Sequence, residues 1–253
     1  MFHIERHDRL IELRIAHDKP QNPFTMAMTR QLPRLCAEWE ADDSVAGVVI
    51  WGGADRCFSV GGDFEEVSAL SDEASTRQYV DEIIDSYLGL LSLTKPLVAA
   101  IDRYCIGYGL QVALMADWRV GSERCSLHMP ELKGGLACPL GSVILESLLG
   151  RARMLHMVIG NDGVPAAQAE EWGLLNGVVP REDLLSSAME AAGRFAGFPS
   201  QPYRLTKRFN NQRLAGFLES VREDAADVHW TCIRERFAQP HFQKILGREA
   251  AQA

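Results

Sequence analysis

Three short stretches of this 253-residue chain hold residues whose types and spacing could do chemistry. The first is Cys57-Phe58-Ser59-Val60-Gly61-Gly62-Asp63-Phe64-Glu65-Glu66, where two glycines precede an acidic turn. Acids complement the positive end of a helix dipole, so a helix is predicted to start there, and free N–H groups at such a start can bind an anion. Taken alone, the stretch is equally an ordinary strand–turn–helix junction. The second is Ile106-Gly107-Tyr108-Gly109-Leu110-Gln111. Glycines on either side of a tyrosine let the backbone approach a ligand closely, and the Tyr108 N–H would point out of the following helix. Gln111, three residues on, shares a helix face with Tyr108. Two glycine-rich helix starts, each after a buried strand, are what a two-donor oxyanion hole requires. The third is Met129-Pro130-Glu131-Leu132-Lys133-Gly134-Gly135, which holds the Glu131 carboxylate on an irregular segment instead of a solvated helix face. His229, in Asp227-Val228-His229-Trp230, lies on a helical pattern among apolar and aromatic neighbours, where a packed or surface histidine is the ordinary reading.

The elements that must position these groups are legible from periodicity. Residues 10–15 alternate apolar and polar, as a half-buried strand does, and 25–40 form an amphipathic helix despite Pro33. The β-branched run 45–53 stops at two glycines and predicts a buried strand. Helices follow from about 63 and over 74–92, then a buried strand at 96–102 and a short buried helix at 110–116. A strand near 118–120 leads to the Glu131 segment. Beyond it the pattern is helical at 141–149, 151–159, 165–172 and 183–196, with 176–179 a last extended piece. Pro199 and Pro202 interrupt the chain before one long helical pattern over about 203–247. Strands alternating with helices, then helices alone, predict an α/β body at 1–198 and a helical appendage at 199–253.

Composition narrows the function classes. With 47% hydrophobic and 24% charged residues the chain is of ordinary globular type, large enough to bury a core without staples. A net charge of −8 argues against nucleic-acid binding, which needs a basic footprint. The six cysteines have no short metal-ligand spacing and predict scattered reduced thiols, so no metal is expected. No secretory leader and no membrane-spanning apolar run is visible, which predicts a cytoplasmic protein without a membrane partner. Dinucleotide-binding, Walker and HExxH motifs are absent, so no permanently bound cofactor is expected.

Taken together and in order, FSVGGDFEEV, IGYGLQVALMAD and MPELKGG resemble the enoyl-CoA hydratase/isomerase (crotonase) superfamily. The likeness extends to residues 22–24, 169–179 and 241–247, nearly the whole chain. It implies a spiral of β-β-α units, a helical C-terminal trimerisation region, and a coenzyme A thioester as substrate. It also implies that the N–H groups of Gly62 and Tyr108 form the oxyanion hole. Hydratases of that superfamily use two glutamates; one matches Glu131, but the other matches Gln111, which exchanges no proton at neutral pH. Simple hydration is therefore disfavoured. Residues 41–45, 52–67, 129–133 and 206–208 resemble the carboxymethylproline synthases, which decarboxylate malonyl-CoA and add the enolate to pyrroline-5-carboxylate, the cyclised form of glutamate semialdehyde.

On that likeness, Gln111 and His229 would position the malonyl carboxylate and Glu131 would contact the second substrate. Tyr79 and Tyr108 stand where tryptophan and methionine are expected, and with Val60 they would line the pocket. Decarboxylation needs no general base, only stabilised charge on the thioester oxygen, at roughly 3–4 kcal/mol per donor in a dry site. A neutral Gln111 would hydrogen-bond a substrate carboxylate where a glutamate would repel it. Lys19 and Arg56 are the candidate cations for coenzyme A, and Phe242 and Lys244 could serve a neighbouring subunit's nucleotide. The alternatives are enoyl-CoA hydration or isomerisation, decarboxylation of an acyl group on a carrier protein in polyketide β-branching, and a non-catalytic binding module. Apolar residues at 230, 233, 237, 242 and 245 predict a homotrimer or a dimer of trimers.

Overall fold

A computed structural model describes residues 1–247. The chain opens on an antiparallel hairpin of β1 (Phe2–His7) and β2 (Leu10–Ile15), with Phe2 opposite Ile15. Helix α1 (Met26–Ala41) starts where the Thr25 side chain accepts from the Met28 N–H, and it carries Pro33 within it. Strand β3 (Gly47–Trp51) is followed by α2 (Phe64–Ser68), capped by Asp63, and α3 (Glu73–Ser92), capped by Asp72. Next come β4 (Leu97–Ile101), β5 (Tyr104–Ile106) and α4 (Tyr108–Leu114), then β6 (Trp118–Ser122) and β7 (Ser126–His128). A 3-10 turn at Glu131–Gly134 leads to α5 (Pro139–Leu149) and α6 (Arg151–Leu155), whose end widens into a π turn at His156–Gly160. Strand β8 (Val164–Pro165), α7 (Ala166–Glu171), β9 (Gly177–Val179) and α8 (Leu184–Ala196) complete the body. Three helices follow: α9 (Ser200–Ser220), α10 (Arg222–Arg234) and α11 (Gln239–Ile245).

The larger sheet has the order β1-β2-β3-β4-β6-β9 and is parallel from β2 onward. A smaller sheet, β5-β7-β8, is joined by a bridge from Ser59 to Cys105. Strands β3, β4 and β6 thus each continue into an extended piece of the second sheet (Ser59, β5, β7) before a helix or turn, the repeating β-β-α unit of a spiral. The central strands are apolar throughout because both faces are covered. Val49, Val98 and Val120 lie against Ala188 and Ala192 of α8, while Val48, Ile50 and Ile101 face the main core with α1, α3 and α4.

Four strands have no clear counterpart in the sequence pattern. Strand β1 is exposed at every position but Phe2, so it lacks alternation, and β5, β7 and β8 are only two or three residues long. The long C-terminal pattern is broken twice, at Val221 and around Arg236, whose φ is 61°. Helices α9 and α10 lie along α3, where Leu218, Ala225 and Ala226 are buried and Arg222 pairs with Asp81 and Asp85. Ile233 and Phe242 are buried within the chain, whereas Phe237 and Ile245 are exposed. Much of the uncovered apolar surface belongs to α9, where Leu205, Phe209 and Phe217 are 54%, 70% and 46% exposed. All six cysteines are free thiols. No helix of the described residues is long and apolar enough to cross a membrane.

Candidate active site

The first glycine-rich junction is held by the loop before it. Asn22, itself at φ 51°, donates from Nδ2 to the carbonyls of Gly52 and Cys57 at 2.7 and 2.8 Å. The Phe24 N–H reaches Gly61 O at 2.7 Å, and Asp63 N–H returns to Phe24 O at 2.8 Å. Gly61 adopts φ 99°, and a Cβ there would stand 3.2 Å from Ile106 O and 3.6 Å from Tyr108 N. The two junctions are therefore neighbours. At the second, Gly107 has φ 54° and donates to His128 O at 2.9 Å, leaving Tyr108 as the first residue of α4. No protein acceptor takes the N–H of Gly62 or Tyr108 among the described residues. Both residues line one cavity of about 290 Å³. Two unclaimed N–H groups, one opening a short helix, form a donor pair for an oxygen that gains negative charge.

Glu131 stands beside that pair. A Cβ on Gly107 would lie 3.1 Å from its Oε1, and Gln111 Nε2 donates to the same oxygen at 3.0 Å. Oε2 is enclosed and has no partner. Burial pushes the carboxyl up to about 7, against smaller opposing effects of its own N–H, the Cys138 thiol and Gln111. A carboxyl poised there exists in both protonation states near neutral pH. Gln111 differs from expectation: Tyr87 donates to its Oε1, and its amide nitrogen faces Glu131 and the Met129 sulfur. It orients Glu131 and does not stand free to hold a substrate carboxylate.

His229 lines the same cavity from α10. Its Nδ1 is 2.8 Å from Ala225 O, and a carbonyl only accepts, so Nδ1 carries the proton and Nε2 is left as an acceptor. Burial lowers its pKa, which favours the neutral ring. Val60 and Tyr79 also line the cavity, and a Cβ on Gly62 would stand 3.0 Å from the Tyr79 hydroxyl. Tyr108 does not present its phenol there: the hydroxyl bonds Ser86 Oγ at 2.8 Å in the core, and the ring meets Phe24 edge-on. The rest of the wall is largely apolar, with Phe64, Val67, Ile83 and Leu136.

The other expected residues lie elsewhere. Arg56 is spent on the loop, donating to the carbonyls of His17 and Lys19 and to Asn22 Oδ1. Lys19 is exposed beside it, and neither lines the cavity. Phe242 is buried against Phe64 of its own chain, ring centroids 5.5 Å apart, so it closes its own cavity and does not reach toward a neighbour's nucleotide. Lys244 is exposed and outside the lining. Glu5, His7 and Glu12 gather ligand atoms within 4.8 Å on the β1–β2 hairpin, but His7 and Trp51 already take both Glu12 oxygens. Tyr87 is the functional neighbour that sequence reasoning missed: it is one apolar-face position among many on α3.

The spiral of β-β-α units and the paired backbone donors define an acyl-thioester enzyme fold. The family model for enoyl-CoA hydratase/isomerase matches residues 5–245, and the chain belongs to that family, the crotonases. Carboxymethylproline synthase of Pectobacterium carotovorum subsp. carotovorum is 36% identical over 245 residues, 97% of this chain and 98% of that protein. Among solved structures, ThnE from S. clavuligerus superposes with a TM-score of 0.76 at 33% identity, covering 90% of this chain and all of that one. An enoyl-CoA hydratase/isomerase from Mycobacterium paratuberculosis gives 0.88 at 22% identity over 96% and 97% of the two chains, a likeness of fold alone.

Proposed function

We propose that the chain decarboxylates malonyl-CoA and joins the enolate to pyrroline-5-carboxylate, as a carboxymethylproline synthase does. The observation that carries this is the pair of unclaimed N–H groups of Gly62 and Tyr108 facing one cavity, with a single carboxylate beside them and an amide where a hydratase has its second acid. In the first step the bond from the malonyl α-carbon to its carboxylate breaks. CO₂ leaves, and the electron pair moves into the thioester, whose oxygen becomes the enolate oxygen held by the two donors. In the second, the α-carbon attacks the protonated C=N carbon of the pyrroline, and the π pair goes to nitrogen, leaving a neutral amine.

The chain's side chains fit these demands. Glu131 in its ionised form stabilises the iminium, and its pKa near 7 leaves that form populated at neutral pH. His229 takes up a proton as it receives the malonyl carboxylate, since an anion at Nε2 favours the imidazolium. Gln111 adds no second negative charge to repel that group. The apolar wall excludes water that would protonate the enolate. Coenzyme A enters as part of the substrate, and no resident cofactor is invoked.

Isomerisation of an enoyl-CoA through Glu131 alone is the second reading, favoured by the same poised carboxyl. The test is to incubate purified protein with malonyl-CoA, with and without pyrroline-5-carboxylate, following CO₂ and the mass of the thioester product. Crotonyl-CoA and a 3-enoyl-CoA serve as rival substrates. CO₂ release with a coupled product is expected. Brisk turnover of either rival with no CO₂ from malonyl-CoA refutes the proposal.

A further inference from the structure

Gln111 lies between two neighbours that each fix one end of its amide. Tyr87, fully buried on α3, donates to Oε1 at 2.5 Å. The Met129 sulfur, which can only accept, faces Nε2 at 3.4 Å. Turning the amide over would strand the Tyr87 O–H in the core, because no other acceptor takes it among the described residues. It would also set Oε1 against the sulfur and against Glu131 Oε1, which is 3.0 Å from Nε2. Only one orientation satisfies all four groups. In it, an amide hydrogen always points at the Glu131 carboxyl, whose other oxygen has no partner.

We infer that Tyr87 is a positioning residue: by fixing the Gln111 carboxamide it keeps a donor on Glu131 and so sets the pH at which that carboxyl releases its proton. The bearing on turnover rests on the proposed role of Glu131, but the device itself belongs to the resting protein. The other titratable groups about Glu131 leave room for this control. Tyr79 and Tyr87 of α3, Tyr108 of α4 and Cys138, the residue before α5, are all held in their neutral forms by burial, and the Cys138 thiol acts alongside Gln111 to lower the Glu131 pKa. His229 of α10 is shifted toward neutral, and His241 of α11 lies on the exposed rim of the cavity. Lys133, in the same turn as Glu131, directs its ammonium to Asn161 O. Gln111 is thus the polar side chain that a single hydroxyl steers onto Glu131.

The test titrates Glu131 in the unliganded protein by ¹³C NMR of labelled glutamate, with Glu131→Gln identifying the signal. Gln111→Leu, which removes the donor, should raise the midpoint by about one unit, a tenfold gain in proton affinity. Tyr87→Phe should raise it by at least about half a unit, roughly threefold, as the freed amide turns over. Met129→Leu, which removes the sulfur acceptor, should move it the same way by less. In Gln111→Leu, adding Tyr87→Phe should produce no further shift. A folded Tyr87→Phe with an unmoved Glu131 midpoint overturns the inference, as does a Tyr87→Phe shift that persists undiminished without Gln111. Because no substrate is present, these outcomes stand whether or not malonyl-CoA proves to be the substrate.

Discussion

Replacing Gln111 with glutamate changes one NH₂ to an oxygen and tests what the amide is for. The substitution removes the 3.0 Å bond to Glu131 Oε1 and puts a second carboxylate at that distance. Tyr87 can still donate to the new side chain, so the fold should persist. With charge centres roughly 4 Å apart and an effective dielectric of about 20, the two ionised groups repel by about 4 kcal/mol. That corresponds to about three pKa units, so the pair holds one proton through neutral pH and titrates as a dyad. A full negative charge then stands in the site where Glu131 alone, poised near 7, is only partly ionised. Malonyl-CoA decarboxylation should fall by on the order of tenfold or more, through repulsion of the substrate carboxylate. The dyad also restores an acid and a base, so slow hydration of crotonyl-CoA should appear. His229→Ala should lose decarboxylation and gain no hydration, since it adds no acid or base. The assay follows malonyl-CoA loss and crotonyl-CoA absorbance for the wild type and both variants. Undiminished decarboxylation by Gln111→Glu, or brisk hydration by the wild type, would show this reasoning to be wrong.

Gly62→Pro removes a donor N–H and should lower the rate by about two to three orders of magnitude; a folded variant that keeps most of its activity means Gly62 is no donor. Tyr108→Phe deletes a hydroxyl that bonds Ser86 in the core, so thermal or urea melts should show a loss of about 1 kcal/mol with product selectivity unchanged. Glu131→Gln should stabilise the fold more as pH rises. The raised native pKa of Glu131, about 7 against an ordinary 4.5, favours folding below 4.5, and that contribution fades as pH climbs through 7. On the order of 2 kcal/mol should separate the two proteins at pH 8 and little at pH 4, and melts giving the opposite trend contradict the burial of this carboxyl. Sedimentation equilibrium should report a trimer or a hexamer that covers Leu205, Phe209 and Phe217 of α9, and a monodisperse monomer at micromolar concentration counts against it.

The site was legible where chemistry leaves a local mark. Gly61-Gly62, Gly107-Tyr108 and Glu131 are turn signals with polar or acidic neighbours, and the structure brings all three to one cavity. Long amphipathic helices such as α1 and α3 announced themselves through period, and the β-branched runs of β3 and β4 through length. What stayed hidden depends on direction and distance. Nothing local says that the Tyr108 phenol turns into the core toward Ser86, or that Tyr87 reaches Gln111, 24 residues on. Arg56 looked like a free cation because its acceptors are backbone carbonyls of a loop almost forty residues earlier. The break after α9 was invisible because neither glycine nor proline marks it at Ser220-Val221, whereas Pro240, at the start of α11, is a start signal that the long helical pattern ran over.

The groups proposed to hold the enolate oxygen are main-chain N–H groups, which nineteen of the twenty residue types share and only proline lacks. A codon change at 62 or 108 therefore reshapes the surroundings of the hole without deleting it, provided the new side chain fits beside Tyr79 or in the Ser86 pocket. The side chains that surround that pair stand on three separate elements: Tyr79 on α3, Gln111 on α4 and His229 on α10. Each can be exchanged while the strand-to-helix junctions stay in register. On the proposed mechanism, such a scaffold keeps its means of making an enolate constant and leaves the fate of that enolate open to drift, one position at a time.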